Sequence, residues 1–347
     1  EDDSQLGTNT WKKVNYNIYD SGDDLNQFMF HYMYGRYTGI TKNNLFEKFL
    51  KVVKSDQKSY IDFINSLKTA SSYYKILSKP NDGDTVFQEK GYFKQDDNRM
   101  IKRYLEFFGK IDVSQLRILL ITLFECRDMN IINNKMFKSY IKFMARHQAI
   151  HVLVKTPANK FTGTYSKTSK DLLKLKNKST KERKKKSEEV FAVFVNNLKE
   201  KLPNFALIES KSLFYSGSSN RDMTKNEIKE HALIRFILET ISEEEQDKRS
   251  NRGNSGLSFI FDATIEHIID KKAKEKNLYS MGNLLLLERD VHKDVKSNEE
   301  KKSMYEESRI TLTNRFFQDY ENFPEEQIEK RLKCLLKRFY DIVKNSN

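Results

Sequence analysis

In the last third of the chain, Glu266 and His267 are adjacent, Asn283 follows Gly282, and His292 lies ten residues beyond that glycine. A carboxylate and an imidazole make a hard, incomplete shell for Mg2+, Mn2+ or a similar divalent ion, with positions left for phosphate and water. A histidine with its ordinary pKa near ~6.5 is largely neutral at neutral pH and can take a proton from an attacking water. Hydrolysing a phosphodiester needs that activated water and a cation to offset charge on the phosphate and the leaving oxygen. The residue types therefore assign His267 as general base and Glu266 with His292 as metal ligands, with Mg2+ the first choice of ion. Asn283 would hold the loop or the His267 ring in place. Lys301 and Lys302 are candidates for gripping the phosphate.

These side chains need a frame. Residues 258–265 read as a β-prone run ending at Glu266-His267, and 284–287 is a second apolar run with Asn283 at its entrance. The polar stretch headed by His292 becomes helical through Lys301, Met304, Tyr305 and Ser308. Strand, loop, strand, helix, with polar ligands at the inner ends, is the layout of a ββα-metal element. A lone Glu-His pair carries little weight; the combination at this spacing carries the reading.

Ile265-Glu-His-Ile-Ile269, Met281-Gly-Asn-Leu-Leu-Leu-Leu287, then Ser297-Asn298, Lys301-Lys302, Tyr305 and Ser308 resemble the HNH nuclease domain of GmrSD-type, modification-dependent (type IV) restriction endonucleases. That family reads Ile-Glu-His-Ile-Leu-Pro, Gly-Asn-Leu-Thr-Leu-Leu and a Ser-Asn…Lys-Lys-x-x-Tyr-x-x-Ser tail. His292 stands where the family has Asn, and Asp270 where it has Pro. The resemblance extends weakly to Asp24-Leu-Asn-Gln-Phe28 and Phe143-Met-Ala-Arg-His147. It implies a metal-dependent DNA endonuclease of a bacterial anti-phage restriction system, acting in the cytoplasm on modified double-stranded DNA. Glucosylated hydroxymethylcytosine is the type example of the modification. It also implies a nucleotide-hydrolysing N-terminal domain, on the same chain or a partner subunit. Neither that domain's DGQQR-type signature nor a P-loop is present, and the start at Glu1-Asp2-Asp3 suggests a piece of a longer protein.

The remainder of the chain reads as mainly α. Hydrophobic residues are 38% and charged residues 32%, with only four Pro and twelve Gly, a balance that favours soluble helices over a turn-rich β sandwich. Residues 1–160 form a helical domain in this reading. Asp56 caps a helix carrying Tyr60, Ile64, Leu67, Tyr74 and Leu77 as far as Pro80, and further helices are expected over 98–109, 114–126 and 131–154. Residues 187–347 form a helical nuclease domain around the ββα-metal element, with a closing helix after Pro324.

Between them, 161–186 reads as a basic linker or DNA-contacting segment that includes Lys184, Lys185 and Lys186. Over 155–186 twelve Lys or Arg face only Asp171 and Glu182, a local net of +10 out of +13 for the chain, whose pI is about 9.3. Such a surplus attracts phosphate backbones by counterion release, although charge blocks are often solvated linkers. No apolar run is long enough to span a membrane. Two cysteines, Cys126 and Cys334, support neither a disulfide framework nor a cysteine zinc site.

Other signals are weaker. His147-Gln-Ala-Ile-His151 imitates a zinc-protease helix but has Gln148 where a general base would sit. His31 and His231 read as packing residues, as do Trp11 and the tyrosine pairs. Two rival readings are a nucleic-acid-binding module with a relic HNH element and a regulatory subunit docking an acidic protein.

Overall fold

Apolar side chains recurring at three- and four-residue steps make most of this chain helical. The computed structural model describes residues 3–53, 57–80, 95–215, 223–249, 258–270, 276–292 and 297–346. The N-terminal half is built from α1 (Asp3–Asp20), α2 (Leu25–Tyr34), α3 (Leu45–Val52), α4 (Gln57–Ser78), α5 (Gln95–Ile111), α6 (Arg117–Asp128) and α7 (Asn134–Leu153). Then come α8 (Thr162–Leu173), α9 (Thr180–Lys199), the short α10 (Phe205–Glu209), the long α11 (Lys225–Arg249) and the short α12 (Ser258–Asp262). The described strands are β1 (Thr264–His267) and β2 (Leu284–Leu287). They are followed by α13 (Asn298–Glu306), α14 (Thr311–Asn314), α15 (Phe316–Asp319) and α16 (Gln327–Asn345).

Helix α6 is the centre of the N-terminal half. Every residue from Ile118 to Phe124 is buried, and α2, α4, α7 and α8 pack around it. On α4 the expected stripe is buried at Ile64, Leu67, Tyr74 and Leu77, whereas Tyr60 is 40% exposed. The Tyr60 ring lies instead against Gly7 of α1, where an added Cβ would be 3.2 Å away. The expected cap at Asp56 lies outside the described residues. Asp24 caps α2, accepting from the Asn26 amide at 3.1 Å.

Residues 161–186, expected as a basic linker or DNA-contacting segment, are largely helical. This stretch is α8, a 3-10 turn over Lys174–Asn177, and the start of α9 behind a Ser179/Glu182 capping box. Phe161, Tyr165, Leu172 and Leu175 are buried. They recur at helical spacing between the lysines, and their burial against α6, α7 and α9 outweighs the local charge. Lys184, Lys185 and Lys186 remain exposed. The two domains expected on either side are not separated by a gap in packing: one cluster of touching buried side chains runs from Val14 to Val343.

The seam between the halves is polar at its middle. On α11, Glu239 takes Arg103 of α5, and Glu243 takes Lys142 (3.1 Å) and Arg146 (3.7 Å) of α7. Burial alone would raise the Glu243 pKa, but Lys142, Arg103 and Arg146 outweigh it and hold the carboxyl below its ordinary 4.5. A depressed carboxylate contributes stability above its unfolded pKa and loses it as pH falls through the folded one. Glu243→Gln should therefore cost about 3 kcal/mol at pH 7, and the gap to the wild type should close as pH drops below 4.5; urea unfolding at a series of pH values measures both.

Candidate active site

β1 and β2 pair antiparallel, Thr264 with Leu287, Ile265 with Leu286, Glu266 with Leu285 and His267 with Leu284. Successive side chains leave opposite faces of a strand. Leu285 and Leu287 join Ile268, Met304 and Tyr305 in a small apolar cluster beneath α13. Leu284 and Leu286 turn the other way into the main core, with Ile265 packed against it. All four leucines of β2 are buried because both faces are covered.

Two arginines hold this pair of strands in place. Arg235 of α11 donates to the carbonyls of Phe261 (2.9 Å) and Ala263 (2.8 Å), just before β1. Arg331 of α16, buried to 3% exposure, donates to the carbonyls of Gly282 (2.6 Å) and Leu284 (2.9 Å) at the mouth of β2. Burial pushes the Arg331 pKa down to about 10, which leaves it a cation at neutral pH. Helix α16 comes so close here that a Cβ on Gly282 would sit 2.0 Å from the Ile328 carbonyl oxygen. That approach is why the motif needs glycine. The β-prone reading of 258–265 is corrected in its first half. Ser258–Asp262 is helical, packed on α5 and α11 with Ile260 buried and Arg103 over the Phe261 ring at 4.4 Å. Tertiary packing overrides the intrinsic strand preference there.

Asn283 is fully buried. Its amide nitrogen donates to the carbonyls of Ile269 (3.0 Å) and Leu278 (2.9 Å), and its side-chain oxygen accepts from the Ile269 amide (2.9 Å). Its own carbonyl accepts from Ile268 (2.9 Å). Of the two uses expected for Asn283, these bonds serve the loop main chain.

The Glu266 carboxylate meets two partners. Oε2 lies 3.1 Å from His292 Nε2, and Oε1 lies 3.5 Å from the Lys301 ammonium. The Glu266 side chain is 15% exposed and that of His292 41%. His292 is aimed by the turn after β2, where its amide donates to the Glu288 carbonyl at 3.0 Å. The Glu288 carboxylate is buried and accepts from Ser308 Oγ (2.6 Å) and the Arg309 amide (2.7 Å). Lys301 is also buried and donates to the His267 carbonyl (2.7 Å) and Asp270 Oδ1 (2.8 Å); Lys302 is exposed. Ser297 and Glu300 form a capping box that starts α13. Burial, with the Glu266 charge behind it, pushes the Tyr305 phenol far up.

His267 belongs to the other face. Its ring neighbours are Tyr215 at 6.3 Å and Tyr279 at 6.4 Å, and Tyr215 stacks on His231 at 4.1 Å. The structure thus brings Glu266, His292 and Lys301 together, and sets the His267 ring beside Tyr215 and Tyr279. Glu266 and His267 are consecutive at the end of β1, and their side chains leave opposite faces of the strand. Sequence reasoning missed Glu288, Arg235, Arg331 and Tyr215. The first directly follows the leucine run, but the other three come from elements distant in sequence and carry no local signal.

Glu266 Oε2 and His292 Nε2 are a hard carboxylate and an imidazole within reach of one ion, at a partly open edge. Among the described residues no group of three or more His, Cys, Asp or Glu is arranged so that it could hold a metal ion. Two protein donors with the remaining positions open fit a divalent ion shared with substrate and water. The other spaced histidines are core residues: His147 Nε2 lies 3.1 Å from both the Leu198 carbonyl and His151 Nε2. Burial drives the His147 pKa well down and that of His151 to about 4. Lys184–Lys186 lie on α9, well apart in sequence, and show no contact with this site among those described. Among the described residues no helix is long and apolar enough to cross a membrane.

Gly282→Ala should cost more than about 3 kcal/mol, because the opposing atom is main chain and cannot rotate away; thermal unfolding of the variant measures it. Residues 217–338 match the family model described as GmrSD restriction endonucleases, C-terminal domain. No curated protein and no solved structure matches the chain. The match spans β1, β2, α13 and most of α16, so that this part of the chain is similar to the C-terminal domain of the GmrSD restriction endonucleases.

Proposed function

We propose that the protein is a metal-dependent DNA endonuclease of HNH type in a restriction system directed at modified phage DNA. The observation that carries this reading is the 3.1 Å approach of His292 to Glu266 at the end of a strand–strand–helix unit, within a segment matched to a restriction-endonuclease family. A bound divalent ion, Mg2+ or Mn2+, would supply charge neutralisation at the phosphate and the leaving oxygen. Glu266 and His292 would hold it. His267 takes the proton from the attacking water at its imidazole nitrogen, and departure of the 3′ oxygen leaves a 5′-phosphate end. Asn283 keeps the loop after β1 in register. Lys302, exposed midway along α13, would meet a phosphate.

The exposed Lys184, Lys185 and Lys186 on α9 extend the DNA contact without reading sequence. Recognition of the modification and nucleotide turnover would belong to an N-terminal domain on the same chain or on a partner subunit. The placement of the His267 ring on the opposite strand face from Glu266 favours a second reading, a non-catalytic DNA-binding module with a relic site. Plasmid nicking decides between them. With Mg2+ the wild type should nick, and His267→Ala should lower the rate by about 10²-fold or more. Undiminished nicking by His267→Ala would sink the assignment, and no nicking by the wild type would favour the relic. Replacing Lys184, Lys185 and Lys186 with Gln should reduce the slope of log affinity against log salt by about 3 in DNA-binding titrations.

A further inference from the structure

The site contains a cation of its own. Lys301 is 5% exposed, and its ammonium faces the His267 carbonyl at 2.7 Å, Asp270 Oδ1 at 2.8 Å and Glu266 Oε1 at 3.5 Å. An ammonium has three donors; the His267 carbonyl and Asp270 accept two of them, and Glu266 makes a longer ion pair. Such a lysine is not a mobile side chain reaching for phosphate. It is a pin between α13 and the end of β1, and it engages one oxygen of Glu266 while the other faces His292 at 3.1 Å. A carboxylate held on both oxygens presents one orientation instead of several.

Charge supplies the second half of the argument. Glu266 and Asp270 are both negative, and Lys301 offsets one of them. An ion held by Glu266 and His292 would share the Glu266 carboxylate with a like-charged ammonium, and that repulsion would weaken its binding. An incoming DNA phosphate restores the missing negative charge.

We propose that Lys301 is a positioning residue that aligns Glu266 and the His267 main chain for cutting while holding the site's affinity for a divalent ion low until substrate phosphate arrives. The inference rests on the nuclease reading above. It makes ion and DNA binding mutually reinforcing, as linkage requires when each ligand improves the site for the other.

Calorimetric titration of the full chain with Mn2+, without DNA, tests it. Lys301→Met should bind Mn2+ about five- to tenfold more tightly than the wild type, yet nick plasmid at least about tenfold more slowly at saturating Mn2+. Lys301→Arg, which keeps the charge, should retain the wild-type affinity. Structural damage would loosen ion binding, so tightening is a result that a purely architectural lysine does not give. Circular dichroism establishes that Lys301→Met is folded. If it is not, Asp270→Asn serves, since removing one carboxylate and leaving the lysine should weaken Mn2+ binding several-fold. Unchanged or weaker Mn2+ affinity in folded Lys301→Met, or unchanged affinity in Asp270→Asn, overturns the proposal and leaves the nuclease reading standing. A wild type that binds no Mn2+ and cuts no DNA overturns both.

Discussion

Helix α16 presses its main chain against the entrance of β2, and the rest of the site hangs on that contact. The Ile328 carbonyl occupies the space a side chain at position 282 would need, and Arg331 on the next turn holds the carbonyls of Gly282 and Leu284. Asn283 is thereby fixed between two clamped residues. Its side chain in turn fixes the main chain at Ile269 and Leu278. Next to Ile269, Asp270 meets Lys301 of α13, and Lys301 meets Glu266. A helix from the end of the chain thus sets the orientation of a carboxylate through main-chain contacts and a buried amide.

Charge is handled in two different ways within the same fold. At the seam of α5, α7 and α11, buried cations and carboxylates pair directly, as Arg103 does with Glu239 and Lys142 with Glu243. Arg331 instead spends its donors on carbonyl oxygens and lies 5.3 Å from the Phe316 ring centroid. Carbonyl dipoles and an aromatic face offset its burial only in part, and its pKa falls to about 10 accordingly. Breaking either arrangement leaves a buried charge uncompensated, which is the costly outcome. The candidate site lies between these extremes: Glu266 is mostly buried, whereas His292 reaches solvent. The edge is half open while the carboxylate keeps a defined orientation.

The small sheet is unusual company for so many helices, and its size follows from its task. Two strands of four residues give only enough alternation to send Glu266 to α13 and His267 toward Tyr215 and Tyr279. Because every residue of β2 is buried, the sheet needs helices on both faces, and α11, α13 and α16 supply them. The basic surplus is carried elsewhere. Lys184, Lys185 and Lys186 ride on the exposed side of α9, whose Phe194, Val195 and Leu198 face the core.

Much of the site was legible in the amino-acid order, because ligand types and loop lengths are local properties. The order strand, loop, strand, helix, the pairing of Glu266 with His292, and a structural use for Asn283 follow from residue type and spacing. So do the helices α4 to α7, whose apolar periodicity is strong. Other features depended on contacts between segments far apart in the chain. Residues 258–262 became helical because α5 and α11 were there to receive Ile260, and the lysine-rich 161–186 became ordered helix because Tyr165 and Leu172 found a core. Burial turned Lys301 from a candidate phosphate ligand into a pinned internal cation. Residue type and spacing by themselves determined which chemistry could assemble; burial and distance, which exist only once remote helices pack, decided which face each group took and how free it was to act.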